Sequence, residues 1–243
     1  MLAALPEELR PQTRSDAYLI QALLEQRSAK PVFGWKIAAT SRAGQAHIGV
    51  GGPLAGRLLA ERVHADGGTL TLGANRMRVA EAEFAFRMAR DLAPQETPYE
   101  QEEVSAAVEA LHPAIEVPDS RYEDFATVGA PQLIADNACA HQFVLGSPAP
   151  ALWREMNLAE HGVRASATGG VEHQGTGANV LDGPLVALTW LANELSSLGI
   201  TLRAGKVVTT GTCLEPVPVG PGSQVIAEFG VLGSVSLRFG RSL

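Results

Sequence analysis

Cysteine is nearly absent: Cys139 and Cys213 are the only two in 243 residues. They form no C-x-x-C pair, which excludes a disulfide-stapled scaffold and a cysteine-rich zinc module and suits a reducing compartment. The six histidines, at positions 47, 64, 112, 141, 161 and 173, include no H-x-x-x-H pair, so zinc has no support. No apolar run approaches the ~20 residues that a membrane-spanning helix needs. The opening MLAALPEELRP has too short an apolar stretch, and meets Pro6 and Glu7 too early, for a signal peptide. Positive charge is scarce as well, with 19 Lys and Arg against 26 Asp and Glu. The net charge of -7 argues against nucleic acid or an anionic membrane as partner. There is no G-x-G-x-x-G after a strand, no P-loop and no G-x-S-x-G elbow, so dinucleotide, nucleotide and serine-hydrolase chemistry lack their signatures. The expectation is a cytoplasmic protein with no nucleic-acid or membrane partner.

What is present is ample apolar material, 46% of the chain, enough for one well-cored domain. Repeats, low-complexity tracts and linkers are missing. Residues 1–15 therefore read as an N-terminal arm and 16–243 as a single domain. Helical spacing predicts a helix from Ser15 and Asp16 to about Arg27, and a short one, Arg42–Ile48, capped by Ser41. It also predicts a helix over 99–111 opened by Thr97 and Pro98, a short one near 131–136, and a long one, Leu181–Leu198, capped by Asp182. Strand patterning falls at 32–41, 79–86, 113–117, 142–146, 163–168 and in three runs between Lys206 and Phe239. Regular βαβ alternation is lacking, which predicts an α+β fold around a curved sheet.

The most informative stretch is VAEAEFAF, residues 79–86. Its period of two puts Glu81 and Glu83 on one strand face, with Phe84 and Phe86 on the other. Residues i and i+2 of a strand lie roughly 6–7 Å apart, so both carboxylates can lean towards one point. Glu116 sits in a second apolar run, Pro113–Val117. Buried carboxylates need a cationic partner, and a hard divalent ion with oxygen ligands would serve. The alternative is a solvated strand face that happens to carry glutamates. Lys36, between Trp35 and Ile37, is either a desolvated lysine fit for proton transfer or one that alternates outward into water. Asp136 and Asn137 fall at a helix–strand junction, and His141 follows it.

Six blocks occur in a fixed order: GWKIAATS (34–41), VAEAEFAF (79–86), HPAIEVPDSR (112–121), ADNACAHQFVLG (135–146), the run 175–212 and VIAEFGVLGSVSLRF (225–239). Together they resemble the 2-keto-4-pentenoate hydratase / 4-oxalocrotonate decarboxylase family of the fumarylacetoacetate hydrolase superfamily. That resemblance implies a mixed β-sandwich or roll with outer helices. It implies Mg²⁺ or Mn²⁺ on Glu81, Glu83 and Glu116, with Lys36 as the catalytic lysine. Asn137, Cys139, His141 and Thr212 fall in segments that resemble substrate-facing ones. The implied substrates are small 2-oxo acids, namely 2-hydroxy-dienoates and their 2-oxo tautomers from meta-cleavage of aromatic compounds. The implied assembly is a homo-oligomer, or a complex with a homologous decarboxylase or hydratase.

The chain departs from the family pattern where hydratases carry an acidic residue shortly before a glycine. Here that stretch reads GVGGPLAGRL, and Leu54 takes the place of the carboxylate. Hydration needs a group to orient and deprotonate water, which leucine cannot do. Three readings stay open: a metal-dependent hydro-lyase, a decarboxylase or acylpyruvate C–C hydrolase using the same site, and a non-catalytic paralogous subunit.

Overall fold

Two sheets carry the strands in the computed structural model, which describes residues 1–241. The first third of the chain gives α1 (Arg14–Arg27), β1 (Gly34–Ala38), α2 (Arg42–His47), β2 (Leu54–Leu58), β3 (Val63–Ala65) and β4 (Thr69–Leu70). The middle gives β5 (Val79–Met88), α3 (Gln101–Ser105), β6 (Val108–Val117), α4 (Ala130–Ala135), β7 (Gln142–Leu145), β8 (Gly162–Ala167) and β9 (Val171–Thr176). The remainder gives α5 (Pro184–Ser197), β10 (Val207–Thr212), β11 (Val217–Pro218), β12 (Gln224–Glu228) and β13 (Ser234–Phe239). The larger sheet runs β2-β1-β10-β5-β6-β7-β3, with β11 on the end of β5; the smaller runs β4-β13-β12-β8-β9. Both mix parallel and antiparallel pairs, as β1 with β10 (parallel) and β5 with β6 (antiparallel) illustrate. The fold is α+β with mixed sheets and a few helices, as the sequence predicts.

The period of two along β5 decides what each face does. Ala80, Ala82, Phe84, Phe86 and Met88 enter the main core, with Leu111, Ile115 and Val117 from β6. Phe84 meets Phe229 of the smaller sheet's β12–β13 connection edge-on, ring centroids 5.1 Å apart, which ties the two sheets together. α5 buries Ala187, Leu188, Leu191, Ala192 and Leu195 in the same core. On the opposite face of β5 only a small cluster forms, around Ala85, Ala114, Phe143, Leu58 and Val207. That face also carries Glu81 and Glu83. No described helix is long and apolar enough to cross a membrane.

Several local expectations are corrected. The helix predicted over 99–111 shrinks to Gln101–Ser105, and the chain then enters a ten-residue strand, Val108–Val117, that runs through Pro113. Pairing with β5, which reaches back to Val108, outweighs the helical preference of Ala106–Glu109. Pro113 accepts from Gly146 N at 2.9 Å and lies just before the stretch of β6 paired with β7, which begins at Ala114. Thr13, and not Ser15, caps α1, with Asp16 completing a capping box. α5 starts at Pro184 after Gly183, and Asp182 makes no cap; Leu181 and Asp182 turn with φ of 49° and 67°. The residues before α1 are tied down by Leu2, whose N–H donates to Arg121 O at 3.0 Å. Replacing Phe84 with Ala should cost about 3–5 kcal/mol of stability in urea unfolding; a loss under about 1 kcal/mol would contradict its place at the sheet junction.

Candidate functional site

Antiparallel register places Glu81 of β5 directly opposite Glu116 of β6, with Glu83 opposite Ala114. Directly opposed residues share a sheet face, so all three carboxylates project to one side. One oxygen from each lies within 4.8 Å of the other two. Glu83 and Glu116 are fully buried, while Glu81 is half-buried and lines a cavity. β10 holds Glu83 in place. The β10–β5 ladder shifts register between Thr209 and Thr212, where Gly211 turns with φ of 100°. A Cβ at 211 would lie 2.1 Å from Thr40 Oγ1, so glycine is required by both space and conformation. The turn aims Gly211 N–H at Glu83 Oε2, 2.8 Å away, and the Thr209 hydroxyl donates to the same oxygen. Glu83 Oε1 and both oxygens of Glu116 are buried with no hydrogen bond from the described residues.

Lys36 comes from β1, in register with Thr209 on one side and Gly56 on the other. It is 3% exposed, so the outward-facing alternative is set aside. Its Nζ donates to Ala138 O at 3.0 Å and faces Glu116 Oε2 at 3.1 Å, an ion pair whose angles fall short of a hydrogen bond. Burial disfavours the ammonium, but Glu116, then Glu81 and Glu83, outweigh it and hold the lysine protonated beyond its ordinary range. Burial pushes all three carboxyls up, Glu81 to about 7, with neighbouring carboxylates adding to the shift at Glu81 and Glu83. Lys36 pulls each of them the other way. Three carboxylates against one ammonium leave two negative charges unmatched. Orphaned buried oxygens of this kind call for an explanation, and a hard divalent cation with oxygen ligands at roughly 2.0–2.6 Å satisfies both charge and valence. Glu81, Glu83 and Glu116 are the residues that would hold it.

The carbonyl that receives Lys36 sits in an unusual turn. Asn137, Ala138 and Cys139 have φ of 61°, 50° and 62°, three consecutive left-handed residues without a glycine. Each costs roughly 1–2 kcal/mol, so the surroundings must impose the turn. Asn137 does this by clasping the backbone of β2: Arg57 N donates to its Oδ1 at 2.6 Å, and its Nδ2 donates to Arg57 O at 2.9 Å. Gly56 permits the approach, since a Cβ there would lie 2.3 Å from Asn137 O.

A cavity of about 820 Å³ opens beside the carboxylates and contains Lys36, Glu81, Cys139 and Thr212 in its wall. Asn137 and His141 line a separate cavity of about 300 Å³. Asn137 is consumed by β2, and His141 lies 3.4 Å from Asn75 Nδ2, with burial lowering its pKa. Thr212 turns its hydroxyl to Leu214 O at 2.8 Å. Burial pushes the Cys139 thiol up to about 12, which keeps it protonated and unsuited to nucleophilic attack. Leu54 is fully buried and does line the cavity. Thr40, His47, Met77, Phe125 and Asn179 also line it and were not anticipated; they belong to loops or to the end of a short helix, where no periodicity marks them.

No model of a protein family matches this chain. A 2-keto-4-pentenoate hydratase from Burkholderia vietnamiensis (strain G4 / LMG 22486) is 37% identical over 226 residues, 92% of this chain and 85% of that protein. A 4-oxalocrotonate decarboxylase from Pseudomonas sp is 35% identical over 213 residues, 87% of this chain and 79% of that protein. The chain belongs to the 2-keto-4-pentenoate hydratase / 4-oxalocrotonate decarboxylase family. A solved structure of the family, the 4-oxalocrotonate decarboxylase from Pseudomonas putida G7 complexed with magnesium and adipate, superposes with a TM-score of 0.85 at 33% identity, covering 93% of this chain and 86% of that one. A putative fumarylpyruvate hydrolase from Burkholderia cenocepacia, 13% identical with a TM-score of 0.62 over 89% of this chain and 93% of that one, shares the fold.

The raised carboxyl pKa values set a pH dependence. Because the folded chain holds protons on these groups above the ordinary value of 4.5, metal-free stability falls as pH rises from there towards about 7. A bound divalent cation reverses that loss by requiring the ionised forms. Added Mg²⁺ should therefore raise the melting temperature more at about pH 7.5 than at about pH 5.5. Glu83→Gln should abolish most of the Mg²⁺-dependent shift while leaving the far-ultraviolet circular dichroism spectrum unchanged.

Proposed function

We propose that this chain is a divalent-metal-dependent lyase of the 2-keto-4-pentenoate hydratase type, acting on 2-hydroxy-dienoic acids and their 2-oxo tautomers. The observation that carries the reading is the set of buried, unpartnered oxygens on Glu83 and Glu116, converging with Glu81 beside Lys36 at one cavity. When bound, Mg²⁺ or Mn²⁺ supplies Lewis-acid polarisation of the carboxylate and 2-oxygen of an oxo acid. The protein's own residues do the rest. Lys36 carries a proton at Nζ next to the cavity, where it donates to Ala138 O and pairs with Glu116. Thr209 and Gly211 fix Glu83, and the left-handed turn fixes the carbonyl that orients Lys36. The largely apolar cavity wall limits water near the reacting carbons.

Leu54 favours a second reading at the same site, decarboxylation, because hydration lacks a carboxylate there to activate water. The same proposal includes a homo-oligomer in the cytoplasm, consistent with α1 leaving Leu19 71% and Leu23 50% exposed. A complex with a homologous family member is its variant.

Proton exchange at C3 of a 2-oxo acid in deuterated buffer separates these readings from a non-catalytic subunit. Exchange should require Mg²⁺, vanish in Glu81→Ala, and fall by roughly 10²–10⁴-fold in Lys36→Ala. Absence of exchange with any 2-oxo acid would sink the enzymatic reading. Hydration of 2-hydroxypenta-2,4-dienoate should be slow in the wild type, and Leu54→Asp should raise it; a fast wild type with a slower Leu54→Asp would show that another group activates water.

A further inference from the structure

The carboxylates and Lys36 account for only part of the cavity's wall. Its volume, about 820 Å³, lies in the range of roughly 300–1,000 Å³ that holds drug-sized ligands. A five-carbon acid fills a small fraction of it. Beyond the carboxylates the wall is largely apolar, with Ile37, Ile48, Leu54, Met77, Phe125 and Leu133 contributing.

Charge in the wall is one-sided. Lys36 is its one lysine or arginine, and that ammonium is already engaged by Glu116 and Ala138 O. Glu215, exposed at the rim, adds a further negative charge. Ser41 caps α2, accepting from Gly44 N at 3.0 Å. Asn179 donates to Cys213 O at 2.7 Å, and His47 sets its ring against Phe125 with centroids 6.0 Å apart. A second carboxylate on a ligand would thus enter a site that is already acidic and meet no lysine or arginine besides Lys36. Desolvating a charge without a partner is strongly unfavourable.

We propose that the cavity selects 2-oxo acids with an extended, uncharged, apolar tail and discriminates against those with a second carboxylate. This rests on the reading that the acidic site, with its metal, holds the 2-oxo-acid head. Tail burial then supplies affinity, and the acidic wall supplies selectivity.

Calorimetric titration of the full chain in MgCl₂ tests it with oxalate, 2-oxobutanoate, 2-oxohexanoate, 2-oxooctanoate and 2-oxoadipate. Oxalate, which is head without tail, should bind. Affinity should rise about fourfold per methylene along the monoacid series. 2-Oxoadipate should bind at least about tenfold more weakly than 2-oxohexanoate. Ile48→Arg, which adds a cation to the half-buried wall, should narrow that gap. A flat monoacid series with oxalate bound, 2-oxoadipate binding as tightly as 2-oxohexanoate, or an Ile48→Arg variant that binds oxalate with the gap intact would each overturn the proposal alone. Failure of oxalate to bind in the presence of Mg²⁺ would overturn the reading of the head site and the proposal with it.

Discussion

Burying Glu83 and Glu116 opposite a single lysine is the constraint on which the rest of the site depends. Neither carboxylate reaches bulk water, and Lys36 can neutralise only one of the three acids. Each neighbouring irregularity serves that arrangement. The register shift in β10 turns Gly211 and Thr209 onto Glu83. The left-handed turn at 137–139 presents the carbonyl that orients Lys36. Without these supports the strands would face solvent with their acids, or would not close over them. A buried acidic cluster that is destabilising by itself becomes a reason to capture a cation.

The division of β5 into two faces explains how such a site is kept rigid. Alternate residues of one ten-residue strand supply both the centre of the core and the acidic cluster. Phe84 is locked against Phe229 and Phe86 against Trp153, so the backbone that carries Glu81 and Glu83 has little freedom. Precision of placement at the acids follows from packing on the opposite face.

Much of this was legible in the sequence. The alternation of VAEAEFAF fixes both faces of β5, and the capping Ser41 marks α2 correctly. The place of the third acid beside the first two followed from the family resemblance; the apolar run around Glu116 signals only a strand. Other parts carried no local signal. The stretch around Ala106–Glu109 has helical composition, and only its pairing with β5 makes it the start of a strand. The left-handed turn contains no glycine to announce it; it is imposed by Asn137 reaching a strand 80 positions earlier. That long reach also explains why Asn137, in a segment resembling substrate-facing ones, turns out to hold backbone. His141, four residues further on, lines the same smaller cavity as Asn137.

The fastening of Glu83 has a consequence for how the protein comes into being. Its anchoring groups on β10 lie 126 and 128 positions later in the chain. During synthesis, β5 and β6 emerge together and can pair, but the acids they carry have no anchor until β10 leaves the ribosome. Non-local closure of this kind is slow relative to hairpin formation. For that interval the hairpin exposes a charged face on one side and Phe84 and Phe86 on the other, the sort of intermediate that aggregates or recruits chaperones. Acquisition of the cation-binding geometry thus reports completion of folding rather than its beginning.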